Sequence, residues 1–278
     1  EWWLLDSLGD FYEHKWIADV LSRVKGGKEA SVYLCRLADA VDGAQYAAAK
    51  VYRPRSLRNL KNDQQYREGR VDLNEEGNGL FKEADAHAME KRTAYGEELR
   101  HTSWIAHEFF TLQTLHAAGA DVPKAYAMAK NAILMGYVGA VGISAPALSE
   151  VSLDRREART LFERVLRNID LLLTHERIHG DLSAYNILYW EGDITLIDFP
   201  QVVSPTGNRN AYRIFERDIT RICEYFGKMG IATHPKKLAA DLWIKHGYSL
   251  APEIHPSLLD ADDQRDRALW KKQNVSRN

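Results

Sequence analysis

Short apolar runs separated by turn-forming residues dominate the first 52 positions of the chain. Val24 and the run Val32-Tyr33-Leu34 flank a polar, glycine-containing segment, and the run from Ala47 to Tyr52 follows Asp42-Gly43. Apolar runs of this length bounded by such turns are typical of adjacent antiparallel strands. The pattern therefore predicts a small antiparallel sheet near the start of the chain.

The next segment, from Arg53 to about Thr102, is strongly polar and shows no sustained apolar period until its end. Segments of this length without secondary structure are uncommon in compact domains, and those that occur are usually functional or flexible. We therefore expect a polar, flexible insertion across residues 53–102.

Apolar residues return at helical spacing in two later segments. The first begins near Trp104, has apolar residues at positions 105, 109, 112 and 115, and ends at Gly119. The second runs from about Arg155 to Glu176. Recurrence at three and four positions predicts amphipathic helices. The last third of the chain is expected to be mainly helical.

Composition narrows the classes of partner. The chain has 37 basic and 39 acidic residues, a net charge of -2, so no overall field recruits nucleic acid or an anionic membrane. We expect no sequence-specific nucleic-acid binding, and no apolar run approaches the ~20 residues of a membrane span. Cys35 and Cys223 are too few for a disulfide framework, which favours a reducing cytoplasm, and neither is expected to be a reactive thiol.

A hairpin is predicted within the most informative stretch of the chain, residues 178–201. Ile187–Trp190 and Ile194–Ile197 are apolar runs on either side of Glu191-Gly192-Asp193. A hairpin brings its two ends together, so residues just before the first strand and just after the second are expected to meet.

Asp181 and Asn186 precede this hairpin, and Asp198 follows it. Phosphoryl transfer from ATP needs a carboxylate that orients the attacking group and hard oxygen ligands for magnesium. We predict that Asp181 is the catalytic base and that Asn186 and Asp198 are ligands of Mg²⁺, or alternatively of Mn²⁺. Taken singly, Asp181 could instead cap a turn and Asp198 could merely end a strand.

A cation for the phosphates is predicted at Lys50, which lies mid-strand between apolar neighbours. An ammonium group there is costly unless it faces a cleft with partners. Glu108, on the helix that opens near Trp104, is the predicted partner of Lys50 in the catalytic site. Glu108 could instead be a solvated helix residue, and other acids are near: Glu83, Glu90, Glu97 and Glu98.

Two further segments are predicted to contact the nucleotide. Glycines in the turn before the second strand would let its backbone approach phosphate oxygens; its residues are Gly26, Gly27, Lys28, Ser31 and Val32. The turn lacks both common glycine-rich phosphate motifs, and Ser31 could be an ordinary hairpin serine. The apolar run 133–139 predicts an adenine slot at Met135, Tyr137 and Val138, or otherwise a plain buried strand. His179 is expected to be a structural imidazole.

Taken together, these blocks resemble the RIO family of atypical serine/threonine protein kinases. The resemblance covers about residues 20–230 and rests on Gly27–Tyr33, Ala49–Tyr52, Leu134–Gly139, His179–Asn186, Ile197–Gln201 and Phe215–Ile219. The polar insertion is similar to a loop found especially in bacterial members, which suggests a bacterial-type member. Gly136 departs from the family, whose members often have an acid there.

The resemblance implies an α+β, bilobal protein-kinase-like fold. A small N-terminal lobe with an antiparallel sheet would span residues 1–135, and a mainly helical catalytic lobe 136–278. It implies binding of ATP and magnesium, phosphorylation of a protein or of itself, and ATPase activity in some members. It also implies that Asp198 can accept a transient phosphoryl group and that Asp218 is a buried acid bonded to the catalytic-loop backbone.

Two alternatives remain open at this stage. A small-molecule phosphotransferase of the aminoglycoside or choline kinase type also has His-Gly-Asp with Asn five residues after the Asp. The basic residues after Tyr212 suit an acidic or phosphorylated partner better than a cationic substrate: Arg213, Arg217, Arg221, Lys228, Lys236 and Lys237. The second alternative is an ATP-gated binding factor for ribosome assembly, with ribosomal particles as partners.

Overall fold

The computed structural model describes residues 2–27, 29–53, 66, 68–80, 82–91, 93–250 and 263–275. These residues form two compact units. The first contains described residues of 1–61, 71–151 and 186–200, and the second contains those of 62–70, 152–185 and 201–278. The predicted lobes 1–135 and 136–278 stay a prediction of domain organisation.

In the described part of the first unit, five antiparallel strands form one sheet in the order β1-β2-β3-β5-β4. Their bounds are β1 Ile17–Gly26, β2 Ala30–Val41, β3 Ala44–Tyr52, β4 Ala125–Ala129 and β5 Ala132–Gly136. The predicted antiparallel sheet is thus confirmed. The β2–β3 turn is closed by Asp42 and Gly43, both with positive φ.

Three α-helices lie in the described residues of this unit: α1 Trp2–Glu13, α2 Glu83–Glu90 and α3 Ala94–Ala117. Helix α1 packs on the sheet, where Leu8 and Phe11 join the core around Tyr33 and Val51. The end predicted at Gly119 is confirmed within two residues, and this glycine has φ +78°.

The polar stretch 53–102 is not structureless throughout. Helix α2 and the first nine residues of α3 lie within it, so α3 begins ten residues before the predicted start at Trp104. The Thr93 side chain caps α3 by accepting a hydrogen bond from Gly96 N at 3.0 Å. The first turns of α3 are largely polar, which hides the apolar period from the sequence pattern. The flexibility of the insertion stays a prediction.

The predicted hairpin is confirmed as β8 Ile187–Trp190 and β9 Asp193–Leu196, which follow the short pair β6 Gly139–Ala140 and β7 Ile143–Ser144. At its base, Ile197 N donates to Asn186 O at 2.9 Å. This bond brings Asn186 next to the residue that precedes Asp198.

The second unit is mainly helical in its described part, as predicted. Its helices are α4 Arg155–Thr174, α5 Ala211–Gly227, α6 Pro235–Lys245 and α7 Gln264–Val275. Trp243 on α6 is 2% exposed and packs against the rings of Tyr212 and Phe215. Across the described ranges, no helix combines the length and apolar character needed to cross a membrane.

Candidate active site

The first unit contains a cavity of about 770 Å³ lined by sheet strands and by the end of the β8–β9 hairpin. Most residues that the sequence assigned to the nucleotide and the metal lie on its wall: Gly27, Val32, Lys50, Glu108, Met135, Tyr137, Val138, Asn186 and Asp198. A concave surface that is largely apolar with a few convergent polar groups is the usual form of a small-molecule site.

Strand β3 directs its side chains into this cavity by simple alternation. Residues two apart on a strand point to the same face, and Ala48, Lys50 and Tyr52 all line the cavity. Lys50 pairs with Val32 of β2 and Ile133 of β5 in the register of the sheet, so its backbone is held on both sides.

Lys50 bridges two acids from distant parts of the chain. Its Nζ donates to Glu108 Oε1 and to Asp198 Oδ1, each at 2.6 Å. Glu108 lies on α3 and is 1% exposed, so the ion pair with Lys50 is buried. The predicted Lys50–Glu108 pair is confirmed. Of the other acids weighed for this position, Glu98 pairs with Lys130 instead.

The electrostatics of the site keep Lys50 charged. Burial by itself lowers the pKa of the Lys50 ammonium, but the charges of Asp198 and Glu108 outweigh burial and raise this pKa well above its usual range. A fixed positive charge on the wall of an apolar cavity is suited to hold phosphate oxygens.

Asn186 and Asp198 both line the cavity, and the bond from Ile197 N to Asn186 O brings their two segments together. The Asp198 side chain is 44% exposed and its backbone has φ +72°, a conformation that few non-glycine residues adopt. No cluster of three or more His, Cys, Asp or Glu suited to a metal occurs among the residues described. Two protein oxygens fit Mg²⁺, which usually takes its remaining ligands from phosphates and water.

The glycine-rich turn is only partly at the cavity. Gly27 lines it, and Gly27 N donates to Ala30 O at 2.9 Å; a Cβ on Gly27 would lie 2.9 Å from the same oxygen. Gly26 ends β1 at the surface, and Ser31 is buried within β2, so neither is on the cavity wall. Lys28 lies outside the described residues. Nucleotide contacts of these residues stay predictions.

The segment predicted to receive adenine spans the end of β5. Met135 and Gly136 are the last two residues of this strand, and Tyr137 and Val138 continue along the cavity. A Cβ on Gly136 would approach neighbouring atoms no closer than 3.6 Å. There is therefore room for a side chain at position 136, and crowding does not explain why this chain has glycine there.

Asp181 lies in the second unit, on a loop held by backbone contacts. Gly180 has φ +85°, and its N donates to Asp218 Oδ2 at 2.9 Å. Burial raises the pKa of the Asp218 carboxyl to about 6. His179 is buried, and its Nδ1 accepts from Asp181 N at 3.3 Å. The expected contacts of Asp218 and His179 with the backbone of this loop are confirmed.

The carboxylate of Asp181 is itself held by a cation. Arg221 Nη1, on α5, donates to Asp181 Oδ1 at 2.6 Å. One turn earlier on the same helix, Arg217 donates to Gly180 O. The two arginines therefore bind the loop at two adjacent residues, Gly180 and Asp181. The expected meeting of Asp181 with Asn186 and Asp198 stays a prediction.

Sequence reasoning missed two residues of these sites. Tyr52 lines the cavity and donates to Glu108 through its hydroxyl. The spacing of Lys50 and Tyr52 could have revealed it, because residues two apart share a strand face. Arg221 was noted only as a basic residue of a C-terminal helix, and no local pattern links it to Asp181.

Comparison with known proteins points to one family. The RIO domain model matches residues 31–238. The RIO-type serine/threonine-protein kinase Rio1 of Haloferax volcanii is 30% identical over 207 residues, 74% of this chain and 63% of that protein. Human serine/threonine-protein kinase RIO3 is 32% identical over 130 residues, 46% of this chain and 25% of that protein. The chain thus spans less than two thirds of the length of these two relatives.

A solved structure agrees with the fold. The Rio2 kinase–ADP/Mg²⁺–phosphoaspartate complex from Chaetomium thermophilum matches with a TM-score of 0.58 and 21% identity, covering 97% of this chain and 75% of that one. At this identity the likeness concerns the fold alone, and it confirms the predicted α+β, kinase-like fold.

The curated relatives named here are archaeal and human, so the bacterial-type assignment is not borne out. The family itself is confirmed, because its model covers most of the chain in one continuous match. The chain therefore belongs to the RIO domain family.

Proposed function

We propose that this chain is an ATP- and magnesium-dependent serine/threonine protein kinase of RIO type. The observation that carries the proposal is the bridge made by Lys50, whose Nζ contacts Glu108 and Asp198 at 2.6 Å on the wall of a 770 Å³ cavity. Phosphoryl transfer in protein kinases requires an ion pair between a strand lysine and a helix glutamate, and a separate aspartate that holds Mg²⁺. Lys50, Glu108 and Asp198 supply these three groups.

Each part of the cavity has a separate task in this proposal. Lys50 binds the α- and β-phosphates of ATP, and Glu108 holds Lys50 in place. Asn186 and Asp198 ligate Mg²⁺, which when bound neutralises charge on the phosphates. The apolar wall near Met135 and Val138 receives the adenine ring, whose flat face suits a narrow apolar slot.

Asp181 is proposed as the catalytic base. It accepts or orients the proton of the attacking serine or threonine hydroxyl, either in a protein substrate or in the chain itself. His179 and Asp218 set the backbone of its loop through hydrogen bonds at 3.3 and 2.9 Å. In this proposal His179 and Asp218 position Asp181 and do not take the proton of the acceptor hydroxyl.

Transfer of labelled phosphate from ATP tests the proposal directly. The purified chain is incubated with Mg²⁺ and γ-labelled ATP, alone and with a generic serine-rich acceptor. We expect label in the chain or the acceptor. Asp181→Asn should lower transfer by roughly 10³-fold or more, because general acid–base catalysis and orientation are both affected.

ATP affinity measured by calorimetry is the matched control. Asp181→Asn should keep it, because this residue is assigned to the attacking group and not to the nucleotide. Lys50→Met should lose it. A chain that neither transfers label nor binds ATP would contradict the proposal.

The family membership does not favour the small-molecule phosphotransferase alternative, since the relatives reported above are named as protein kinases. Slow ATP hydrolysis without a protein acceptor, together with co-sedimentation with ribosomal particles, would instead favour the ATP-gated binding factor. Ribosomal partners, the use of Mn²⁺, phosphorylation of Asp198 and a cytoplasmic location stay predictions.

A further inference from the structure

We propose that Tyr52 is a positioning residue that acts through Glu108 on Lys50 and on the loop that begins at Asp198. The inference rests on the proposed function, since it assigns a task within the same nucleotide site. In this assignment Tyr52 contacts neither the phosphates of ATP nor the acceptor hydroxyl. Its hydroxyl fixes the carboxylate on which the other side chains depend.

The first step of the argument is where Tyr52 lies. It follows Lys50 by two positions on β3, so both side chains face the cavity. Tyr52 is 1% exposed, and its hydroxyl donates to Glu108 Oε2. A buried tyrosine hydroxyl needs a partner, and here the partner is the acid that holds Lys50.

The second step is how helix α3 holds the ring. Trp104 and Glu108 are one helical turn apart on α3 and therefore lie on the same side of the helix. The Trp104 ring meets the Tyr52 ring edge-on, with 4.8 Å between centroids. The helix thus contacts Tyr52 at two points, the ring through Trp104 and the hydroxyl through Glu108.

The third step is the division of labour between the oxygens of Glu108. Oε1 accepts from Lys50 Nζ at 2.6 Å and from Phe199 N at 3.2 Å, while Oε2 accepts from the Tyr52 hydroxyl. Phe199 directly follows Asp198, so Oε1 holds both the phosphate-binding lysine and the metal loop. Without a donor on Oε2, the carboxylate can rotate and Oε1 loses its fixed place.

The protonation of Tyr52 suits this task. Burial and the nearby charge of Glu108 raise the pKa of the Tyr52 phenol well above its usual range, so its proton stays available to donate. The Lys50 ammonium also lies 5.2 Å from the centroid of the Tyr52 ring. The ring face and the hydroxyl therefore support the same ion pair from one side.

A merely structural role would look different. Tyr52 could serve only to fill the core between β3 and α3, in which case its ring matters and its oxygen does not. Tyr52→Phe separates the two roles, because it keeps the ring and its packing on Trp104 and removes the hydrogen bond from the hydroxyl to Glu108. The matched control is Tyr33→Phe, since Tyr33 is also buried in the sheet, 8% exposed, but does not line the cavity.

The experiment measures phosphate transfer, ATP affinity without metal, and thermal unfolding for both variants. For Tyr52→Phe we expect kcat to fall about tenfold and metal-free ATP affinity to fall severalfold, as loss of a hydrogen bond to a buried charge predicts. The KM for the protein acceptor should not change. Tyr33→Phe should match the wild type in kcat and in ATP affinity.

A double-variant cycle identifies Glu108 as the intermediary. Glu108→Gln alone should weaken metal-free ATP binding, and adding Tyr52→Phe should then reduce it less than twofold further, because residues that act as a unit are not additive. Fully additive losses would overturn the inference, as would an unchanged kcat in Tyr52→Phe or an equal loss in Tyr33→Phe.

Failure of this inference differs visibly from failure of the proposed function. A wild-type chain that neither binds ATP nor transfers phosphate overturns the proposed function and the role of Tyr52 with it. A wild-type chain that does both, with Tyr52→Phe behaving like wild type, overturns the role of Tyr52 alone.

Discussion

Lys50 and Asp198 lie 148 positions apart in sequence, yet Lys50 Nζ is 2.6 Å from Asp198 Oδ1. The same nitrogen contacts Glu108 at 2.6 Å. One ammonium group therefore joins β3, α3 and the loop after β9. The acids differ in setting, because Glu108 is almost fully buried while the Asp198 side chain is 44% exposed.

The burial of Glu108 predicts that Lys50→Met lowers the stability of the chain. The substitution leaves the Glu108 carboxylate buried with its cation removed, and breaking a buried pair in this way costs about 3 kcal/mol or more. We expect that loss in the free energy of unfolding, measured by urea titration at neutral pH. Adding Glu108→Gln should recover part of it.

The control for this prediction is Lys124→Met. Lys124 also forms an ion pair, with Asp42, but both side chains are well exposed, and an exposed pair contributes little to stability because solvent screens it. Equal losses in the two variants would show that the Lys50 pair is not buried as described.

A second prediction concerns Gly180, beside the proposed catalytic base. Its φ is +85°, and a Cβ there would lie 2.1 Å from Gln201 O. Gly180→Ala must therefore strain the backbone and also displace Gln201, and we expect a loss of more than about 3 kcal/mol in unfolding free energy.

Gly192 gives a matched comparison. It has nearly the same φ, +87°, but a Cβ there meets nothing within 4 Å. Gly192→Ala should cost only the backbone strain, about 1 kcal/mol. Equal losses of unfolding free energy in the two alanine variants would contradict the crowding of Gly180 against Gln201.

A third prediction follows from the ion pair of Arg221 with Asp181, at 2.6 Å. Arg221→Ala removes this charged hydrogen bond to the Asp181 carboxylate and weakens the hold on its position, so kcat for phosphate transfer should fall about tenfold. ATP affinity should not change, because Asp181 is assigned to the acceptor hydroxyl.

Arg213 serves as the control on the same helix, since it contacts Asn210 at the surface. Arg213→Ala should keep both kcat and ATP affinity. A parallel fall of kcat in both variants would point to a general effect of helix charge and not to the contact with Asp181.

A fourth prediction concerns the thiols. Burial raises the pKa of Cys35 to about 12 and also raises the pKa of Cys223. Since the thiolate is the reactive form and it is scarce far below the pKa, neither cysteine should react with a disulfide reagent at pH 8 in the folded chain.

Both thiols should react once the chain is unfolded in guanidinium chloride. If the native protein consumed one equivalent of reagent within minutes, at least one cysteine could not be buried as described.

Local pattern predicted the elements whose hydrophobic period is strong. The β8–β9 hairpin, the sheet strands and the end of α3 follow from apolar runs and turn residues that lie next to each other in sequence. The start of α3 escaped prediction because its first turns are polar. The N-cap residue Thr93 is not followed by regularly spaced apolar residues, so the sequence gives no clear signal for the start of the helix.

The sequence by itself determined which residue types could perform phosphoryl transfer, because their spacing around the hairpin and within β3 is a local property. The sequence favoured Glu108 among several acids as the partner of Lys50, and the packing of α3 on the sheet settled that pairing. Tertiary structure alone showed that Tyr52 holds this acid and that Arg221 holds Asp181. These contacts join residues 40 to 58 positions apart. Their partners are chosen by how helices and strands pack, which no local period encodes.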